Sequence, residues 1–284
     1  MLDCIIIGSG IGGISSALTL KANGKSFVLL GSKDLSVKIT RAEKVNNYPA
    51  FLGGSGEEFC ALLKTQLEQE EITVKEGRAT GVYALTDKFA VLTQDGETLE
   101  ARTVILACGV ESGKRIDGET QFLGRGVSYC ATCDGFLYKN KKIAVVCLSK
   151  EFEREAEYLS KIADKTYLFP LYKGVELTGE NIEKIIKMPT KIIGNKRVEK
   201  ICYGNEEIEV DGVFILKESL PPETLVAGLK TENGHVKINR NTETNLSGLF
   251  AVGDITGRPY QYAKAVGEGN VSAHAVTEFL NKNI

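Results

Sequence analysis

Leu2-Asp3-Cys4-Ile5-Ile6-Ile7-Gly8-Ser9-Gly10-Ile11-Gly12-Gly13 decides the fold. The run from Leu2 to Ile7 is short, β-branched and stopped by glycine, which reads as a buried parallel strand. Ile14-Ser15-Ser16-Ala17-Leu18-Thr19-Leu20 follows with helical character. Between them stands G-x-G-x-x-G. Its glycines allow a tight turn and let the backbone approach a pyrophosphate at a helix N-terminus. Alone the motif is weak; between a strand and a helix at the start of a chain it is a dinucleotide fingerprint. The bland alternative is a glycine-rich turn that binds nothing.

Working outward, Phe27-Val28-Leu29-Leu30 reads as the second strand. It ends in Gly31-Ser32 rather than the acid that usually holds a ribose hydroxyl, which argues against a plain NAD site. Asn46-Asn47-Tyr48-Pro49 is a loop signal. Residues 57–70 read as an amphipathic helix with Phe59, Leu62, Leu63 and Leu67 on one side. Residues 72–106 alternate as short strands, with turns at Thr86-Asp87 and Asp95-Gly96. The segment closes on Thr103-Val104-Ile105-Leu106-Ala107-Cys108-Gly109, a strand whose small end permits either close approach of a cofactor or simple tight packing.

Residues 110–118 are polar and glycine-containing, as a linker would be. Lys142-Ile143-Ala144-Val145-Val146 then opens a second βαβ unit, with its helix over 150–163. Where glycines should sit stand Cys147, Leu148 and Ser149, and Glu151, Glu153, Glu155 and Glu157 follow. Side chains there obstruct a pyrophosphate, and acids in a first helical turn repel phosphate. The next strand, Thr166-Tyr167-Leu168-Phe169, ends in Pro170-Leu171 with no arginine for a 2′-phosphate. The pocket reads either as built and lost or as a plain Rossmann-like support. Residues 184–200 carry Lys184, Lys187, Lys191, Lys196, Arg197 and Lys200. Such a run is usually a solvated face, and it also suits an acidic protein partner. Residues 241–246 read as a second linker. Gly248-Leu249-Phe250-Ala251-Val252-Gly253-Asp254 reads as a strand ending in a carboxylate able to accept from a hydroxyl, and a helix follows over 261–279.

Between the two βαβ units lies Cys130-Ala131-Thr132-Cys133-Asp134-Gly135. A Cys-x-x-Cys pair closes into a disulfide and reopens by thiolate attack, and Asp134 is near enough to move a proton as a sulfur leaves. Half a zinc site and a pair of buried thiols are the alternatives. A structural zinc needs four ligands, whereas the other five cysteines are scattered and the histidines are His235 and His274.

The chain has 284 residues, 43% apolar and 25% charged, with a net charge of −2. That fits a globular enzyme of one large or two medium domains and argues against nucleic acid as a partner. No apolar run approaches the roughly 20 residues that span a bilayer. The N-terminal apolar run passes straight into the glycine loop and reads as structure, not as a signal peptide. Seven cysteines without a paired framework suit a reducing cytoplasm.

With the glycine loop, Cys-Ala-Thr-Cys-Asp-Gly and Phe-Ala-Val-Gly-Asp present in this order, the chain resembles low-molecular-weight thioredoxin reductases. Gly124-Arg125-Gly126-Val127-Ser128 and Tyr158-Leu159-Ser160-Lys161-Ile162-Ala163 extend the match over nearly the whole length. The resemblance implies an α/β fold of two Rossmann-like, three-layer ββα domains of FAD/NAD(P)-binding type, the second inserted into the first. The FAD-binding domain would be 1–110 and 243–284; the inserted redox-disulfide domain would be 111–242. By the same resemblance Gly8, Ser9, Gly10, Gly12 and Gly13 hold the FAD pyrophosphate, Asn47 faces the cofactor and Asp254 takes a ribityl hydroxyl. Gly31, Ser32, Lys38, Ala79, Gly109, Gly253, Gln261, Tyr262 and Ala263 complete the implied cofactor set. Cys133 would be the thiol nearer the flavin, Cys130 the one that attacks thioredoxin, and Asp134 the acid/base. A homodimer is implied too. One departure lies in the last helix, where the family's Arg-Gln before an Ala is replaced by Gln261-Tyr262-Ala263.

The larger departure is the NADPH half. The family's Gly-x-Gly-x-x-Ala falls on Cys147 to Phe152 and its His-Arg-Arg on Phe169-Pro170-Leu171; neither is present. In this the chain is similar to the ferredoxin-dependent flavin thioredoxin reductases, which take electrons from reduced ferredoxin. Plant-type ferredoxins lie near ~−400 mV and thioredoxin near ~−270 mV, so two electrons release about 6 kcal/mol. A flavin converts single electrons to a pair. The expectation is therefore a ferredoxin:thioredoxin reductase. A dithiol oxidase, an NADPH-type reductase with an unusual nucleotide site, and a redox-sensing flavoprotein without turnover are the other readings.

Overall fold

The computed structural model describes residues 1–110, 116–217 and 221–282. In chain order, β1 (Leu2–Ile7), α1 (Ile11–Ala22), β2 (Phe27–Gly31), α2 (Val37–Thr40), α3 (Gly56–Gln69) and β3 (Val74–Glu76) lead into the strands β4 (Ala79–Ala84), β5 (Phe89–Thr93) and β6 (Thr98–Leu106). Next come β7 (Val127–Ser128), α4 (Ala131–Asp134), β8 (Lys142–Cys147), α5 (Glu153–Ile162), β9 (Lys165–Pro170) and β10 (Ile182–Lys184). The antiparallel strands β11 (Pro189–Gly194), β12 (Val198–Tyr203) and β13 (Glu206–Glu209) precede β14 (Gly212–Leu216). The chain ends with α6 (Pro222–Leu225), β15 (Thr231–Glu232), β16 (His235–Val236), β17 (Leu249–Ala251) and α7 (Tyr262–Lys282).

Two compact units result: residues 1–93, 97–111 and 221–284, and residues 94–96 with 112–220. In the first unit the sheet order is β3-β2-β1-β6-β5-β4, with β17 also on β6. β1, β2, β3, β6 and β17 run parallel, while β4 and β5 are antiparallel to their neighbours. This is the expected three-layer ββα arrangement, with β6 shared by the parallel sheet and the meander. Ile5, Ile6 and Leu106 are fully buried, each contributing up to about 1.5–3 kcal/mol relative to exposure. The helix α3 starts at Ser55, whose hydroxyl accepts from Glu58 N–H while Glu58 accepts from Ser55 N–H, a capping box. It buries Phe59, Cys60, Leu63 and Leu67. Leu62, expected on that face, is instead 57% exposed, because the buried residues follow the 59/63/67 and 60/63/67 rows and Leu62 falls on the flank.

The return into the first unit lies at 220/221, not at the 241–246 segment read as a linker. Residues 221–242 pack with the first unit: Val226 bridges Val82, and Ala251 N–H donates to the Thr242 carbonyl. Thr242 itself is buried. Most of the other expected crossing, residues 111–115, lies outside the described residues.

The second unit holds an all-parallel sheet, β10-β9-β8-β14-β7, and the antiparallel β11-β12-β13. Its core gathers Ile143, Val145, Leu168, Phe214 and Leu216 from the sheet with Ala156 and Leu159 from α5. No helix among the described residues is long and apolar enough to cross a membrane.

Candidate functional site

In the first unit, β1 delivers the chain into the glycine loop and α1 leads it away. Gly8 has φ +115°, and a Cβ there would strike the Ala107 carbonyl; a Cβ on Gly13 would overlap the Gly8 carbonyl. Both contacts need glycine, and they bring the loop against the end of β6. Gly10 caps α1 with no side-chain hydrogen bond, and no acid stands in the helix's first turn. The N–H groups at this end are thus free for an anion. Ser9 Oγ donates to the Ser32 carbonyl at 2.8 Å, joining the loop to the end of β2 and Gly31.

Other expected positions gather nearby. Lys38 Nζ donates to the Val110 carbonyl at 3.2 Å and lies 3.8 Å from Asp254, beside Gly109. Asn47 donates to Gln261 at 2.8 Å. Tyr262 stacks on Phe59 with ring centroids 5.7 Å apart, and Phe59 also meets Tyr48 and Phe51. Burial, then the Asp254 carboxylate, pushes the Tyr262 phenol up. Ala79 starts β4, buried and paired with Thr93, and Ala263 is exposed in the first turn of α7.

The turn that carries Gly253 and Asp254 is braced by a pair that no sequence motif singles out. Lys264 Nζ donates to the carbonyls of Gly253 (2.7 Å) and Gly257 (2.8 Å) and to Thr256 Oγ1 (2.7 Å). Glu268 accepts from Gly253 N–H at 2.7 Å and from Thr256 Oγ1 at 2.9 Å. The two side chains meet at 3.3 Å, an i,i+4 pair on α7.

In the second unit Cys130 and Cys133 are joined as a disulfide. Ala131 between them is fully buried in the unit's core and anchors α4 there. Cys133 N–H donates to Cys130 Sγ at 3.2 Å, and Thr132 Oγ1 lies 3.6 Å from the same sulfur. The Thr132 hydroxyl gives its hydrogen to the Gln94 carbonyl, so Cys133 N–H is the donor that would stabilise a thiolate on Cys130. Ser128, held in β7 opposite Phe214, accepts from Cys130 N–H at 3.1 Å and donates to Asp134 at 2.7 Å. It thereby fixes the acid beside the pair; in the sequence it stands only as the end of the Gly124–Ser128 match, with no role attached.

The second nucleotide loop is filled from within. Tyr172 OH donates to Glu153 Oε1 at 2.7 Å, and Glu176 N–H donates to the same oxygen at 3.1 Å. Lys150 pairs with Glu176 at 2.6 Å. Cys147 donates its thiol to the Ser149 carbonyl at 3.2 Å, and burial pushes that thiol up to about 11. Phe152, at the position of the family's closing alanine, is buried. Glu153 and Glu155 occupy the first turn of α5, the reverse of the bare α1 terminus. The six basic residues of 184–200 are partly neutralised: Lys187 pairs with Glu206, Lys191 with Asp117 and Lys200 with Glu207.

One free helix terminus on a glycine cradle and one Cys-x-x-Cys disulfide define a nucleotide-linked disulfide oxidoreductase. The family model for pyridine nucleotide-disulphide oxidoreductases matches residues 2–147 and 174–269. A thioredoxin reductase of Helicobacter pylori is 31% identical over 99% of both chains, and one of Aquifex aeolicus is 30% identical over 98% of this chain and 93% of its own. A ferredoxin-flavin thioredoxin reductase from Clostridium acetobutylicum has a solved structure with TM-score 0.92 and 46% identity, covering 99% of this chain and 98% of that one. The chain belongs to the pyridine nucleotide-disulphide oxidoreductases and, within them, to the thioredoxin reductases. It is an FAD flavoprotein, and the cradle fits that cofactor: Gly8 and Gly13 admit no side chain, and α1 keeps its N–H groups open.

Proposed function

We propose that the chain reduces thioredoxin through the Cys130–Cys133 pair with reduced ferredoxin as electron donor. The observation that carries the donor assignment is the Glu153–Tyr172–Glu176–Lys150 network in the second unit. A carboxylate and its partners stand where a pyridine nucleotide's phosphates need bare N–H groups. FAD, when bound, supplies the conversion of single electrons into the pair that a disulfide takes. Gly8, Ser9, Gly10, Gly12 and Gly13 hold its pyrophosphate. Gly31, Ser32, Lys38, Asn47, Gly109, Gly253, Asp254 and Gln261 line the rest, with Ala79, Tyr262 and Ala263 at its margins. Lys264 and Glu268 keep the Asp254 turn in shape.

Cys130 attacks the thioredoxin disulfide, breaking that S–S bond and forming a mixed disulfide. Cys133 then attacks Cys130 Sγ, releasing thioredoxin as a dithiol and closing the Cys130–Cys133 bond. Asp134, oriented by Ser128, carries the proton. A homodimer is part of the same proposal, and sedimentation equilibrium measures it.

Anaerobic stopped-flow mixing tests the donor. Reduced ferredoxin should bleach the flavin band rapidly, and NADPH should leave it oxidised on the same timescale. Rapid bleaching by NADPH would defeat the donor assignment. Steady hydrogen peroxide release with small dithiols, without thioredoxin reduction, would favour a dithiol oxidase instead.

A further inference from the structure

We propose that the acidic iron–sulfur donor docks on the first unit, on the face built by residues 33–44 and the loop 46–53. This inference rests on the donor being ferredoxin. Residues 33–44 carry Lys33, Lys38, Arg41 and Lys44 against Asp34 and Glu43, in a chain of net charge −2. Asp34 is taken up by Lys64 at 3.0 Å. Lys33, Arg41 and Lys44 are exposed, with no ion-pair partner among the described residues. Positive charge is therefore left over on this face. On 184–200, Lys187, Lys191 and Lys200 are matched by acids of the same unit, while Lys184, Lys196 and Arg197 are exposed and have no ion pair among the described residues, so position decides between the two basic stretches.

Position supports the same face. Lys38, on α2, reaches Asp254, and Asn47, in the loop, reaches Gln261. Both acceptors belong to the proposed flavin-holding set, so a partner seated here has a short path for an electron. The face also has an apolar centre. Leu52 is fully exposed, and a cavity of about 170 Å³ opens between the loop and α3, with Phe51 and Leu62 among its walls. A Val45–Gly54 bridge and the Gly56 N–H to Ala42 carbonyl bond, 2.7 Å, tie this centre to the basic segment. An apolar centre with a charged rim is the ordinary anatomy of a transient interface. The rim charges set the encounter rate and its salt dependence.

The test uses the full-length, FAD-loaded protein in stopped-flow with reduced ferredoxin over a range of salt, with dithionite as a small reductant that needs no docking. Arg41→Glu/Lys44→Glu should slow flavin reduction by ferredoxin by about tenfold or more at low salt and flatten its salt dependence. Arg41→Gln/Lys44→Gln should fall between, and dithionite should reduce all forms alike. Lys187→Glu/Lys191→Glu should match wild type. If wild type responds to ferredoxin but the Arg41/Lys44 variants keep its rate and salt slope, this docking face is wrong and the donor stands. The same holds if Lys187→Glu/Lys191→Glu alone loses the response. If wild type itself is not reduced by ferredoxin, the donor and the face fall together. Unequal dithionite rates would show a damaged flavin site and overturn the docking explanation.

Discussion

Cys130→Ser should abolish thioredoxin reduction, by more than about 10⁴-fold, the scale on which loss of a covalent nucleophile falls. A serine hydroxyl forms no disulfide, and the single Cys133 N–H that faces Cys130 Sγ does not stabilise an alkoxide enough to form it at neutral pH. The visible flavin spectrum should be unchanged, because the glycine loop and Asp254 belong to the first unit and Cys130 to the second. Cys133→Ser separates the two roles. It keeps the proposed attacking thiol but removes the proposed resolving one, so a mixed disulfide with thioredoxin should accumulate on a non-reducing gel. Wild-type turnover by Cys130→Ser, or a trapped adduct from Cys130→Ser and none from Cys133→Ser, would reverse the assignment.

Glu119→Gln should cost about 3–5 kcal/mol of stability in denaturant melts, the loss typical of a buried ion pair missing one partner. Glu119 and Lys217 are 2% and 4% exposed and meet at 2.6 Å. Tyr129 OH donates to Glu119 at 2.7 Å, and the Lys217 ammonium lies 4.3 Å from the Tyr129 ring centroid. Glu119 also accepts from Ile116 N–H at 3.0 Å. Removing the carboxylate takes from the buried Lys217 the anion it meets at 2.6 Å. Lys217→Met added to Glu119→Gln should recover much of the loss, since a buried pair replaced together is close to neutral. The pH dependence has a definite sign. Burial opposes ionisation of Glu119, but Lys217, the Tyr129 hydroxyl and the Ile116 N–H together outweigh it and hold the carboxyl below its ordinary value of 4.5. A group whose native pKa is depressed stabilises fully above the unfolded value and loses that effect as pH falls through the native one. The gap between wild type and Glu119→Gln should be complete at neutral pH and close in acid below the ordinary carboxylate range. An equal gap at every pH would remove the ionic explanation.

What was legible in the sequence was local. The glycine loop, the Cys-x-x-Cys segment and the broken second loop are contiguous, and each carries its chemistry within a few residues. Strand β1 and the start of α7 follow from runs that punctuate themselves with glycine or proline. What was not legible depends on partners far apart in the chain. Glu119 and Lys217 are separated by 98 positions, and neither looks buried when read alone. Residues 241–246 have the composition of a linker, yet Thr242 is packed under β17, because backbone partners and not side-chain polarity decide the matter. Leu62 failed for a subtler reason. Its spacing from Phe59 suits a helix face, but the width of that face depends on how far the sheet extends beneath it. Lys264 and Glu268 look like an ordinary surface i,i+4 pair until the turn they clasp is in place.

If the proposed donor is right, the Glu153 carboxylate has a consequence for anyone wishing to give this chain a pyridine-nucleotide site. Grafting glycines at 147–149 would clear space but leave a resident negative group, anchored by a tyrosine hydroxyl and a main-chain donor. An incoming phosphate would meet a tenant of its own sign. Subtraction at 153 and 172 has to accompany any addition, so a pyridine-nucleotide specificity lies several changes away, not one.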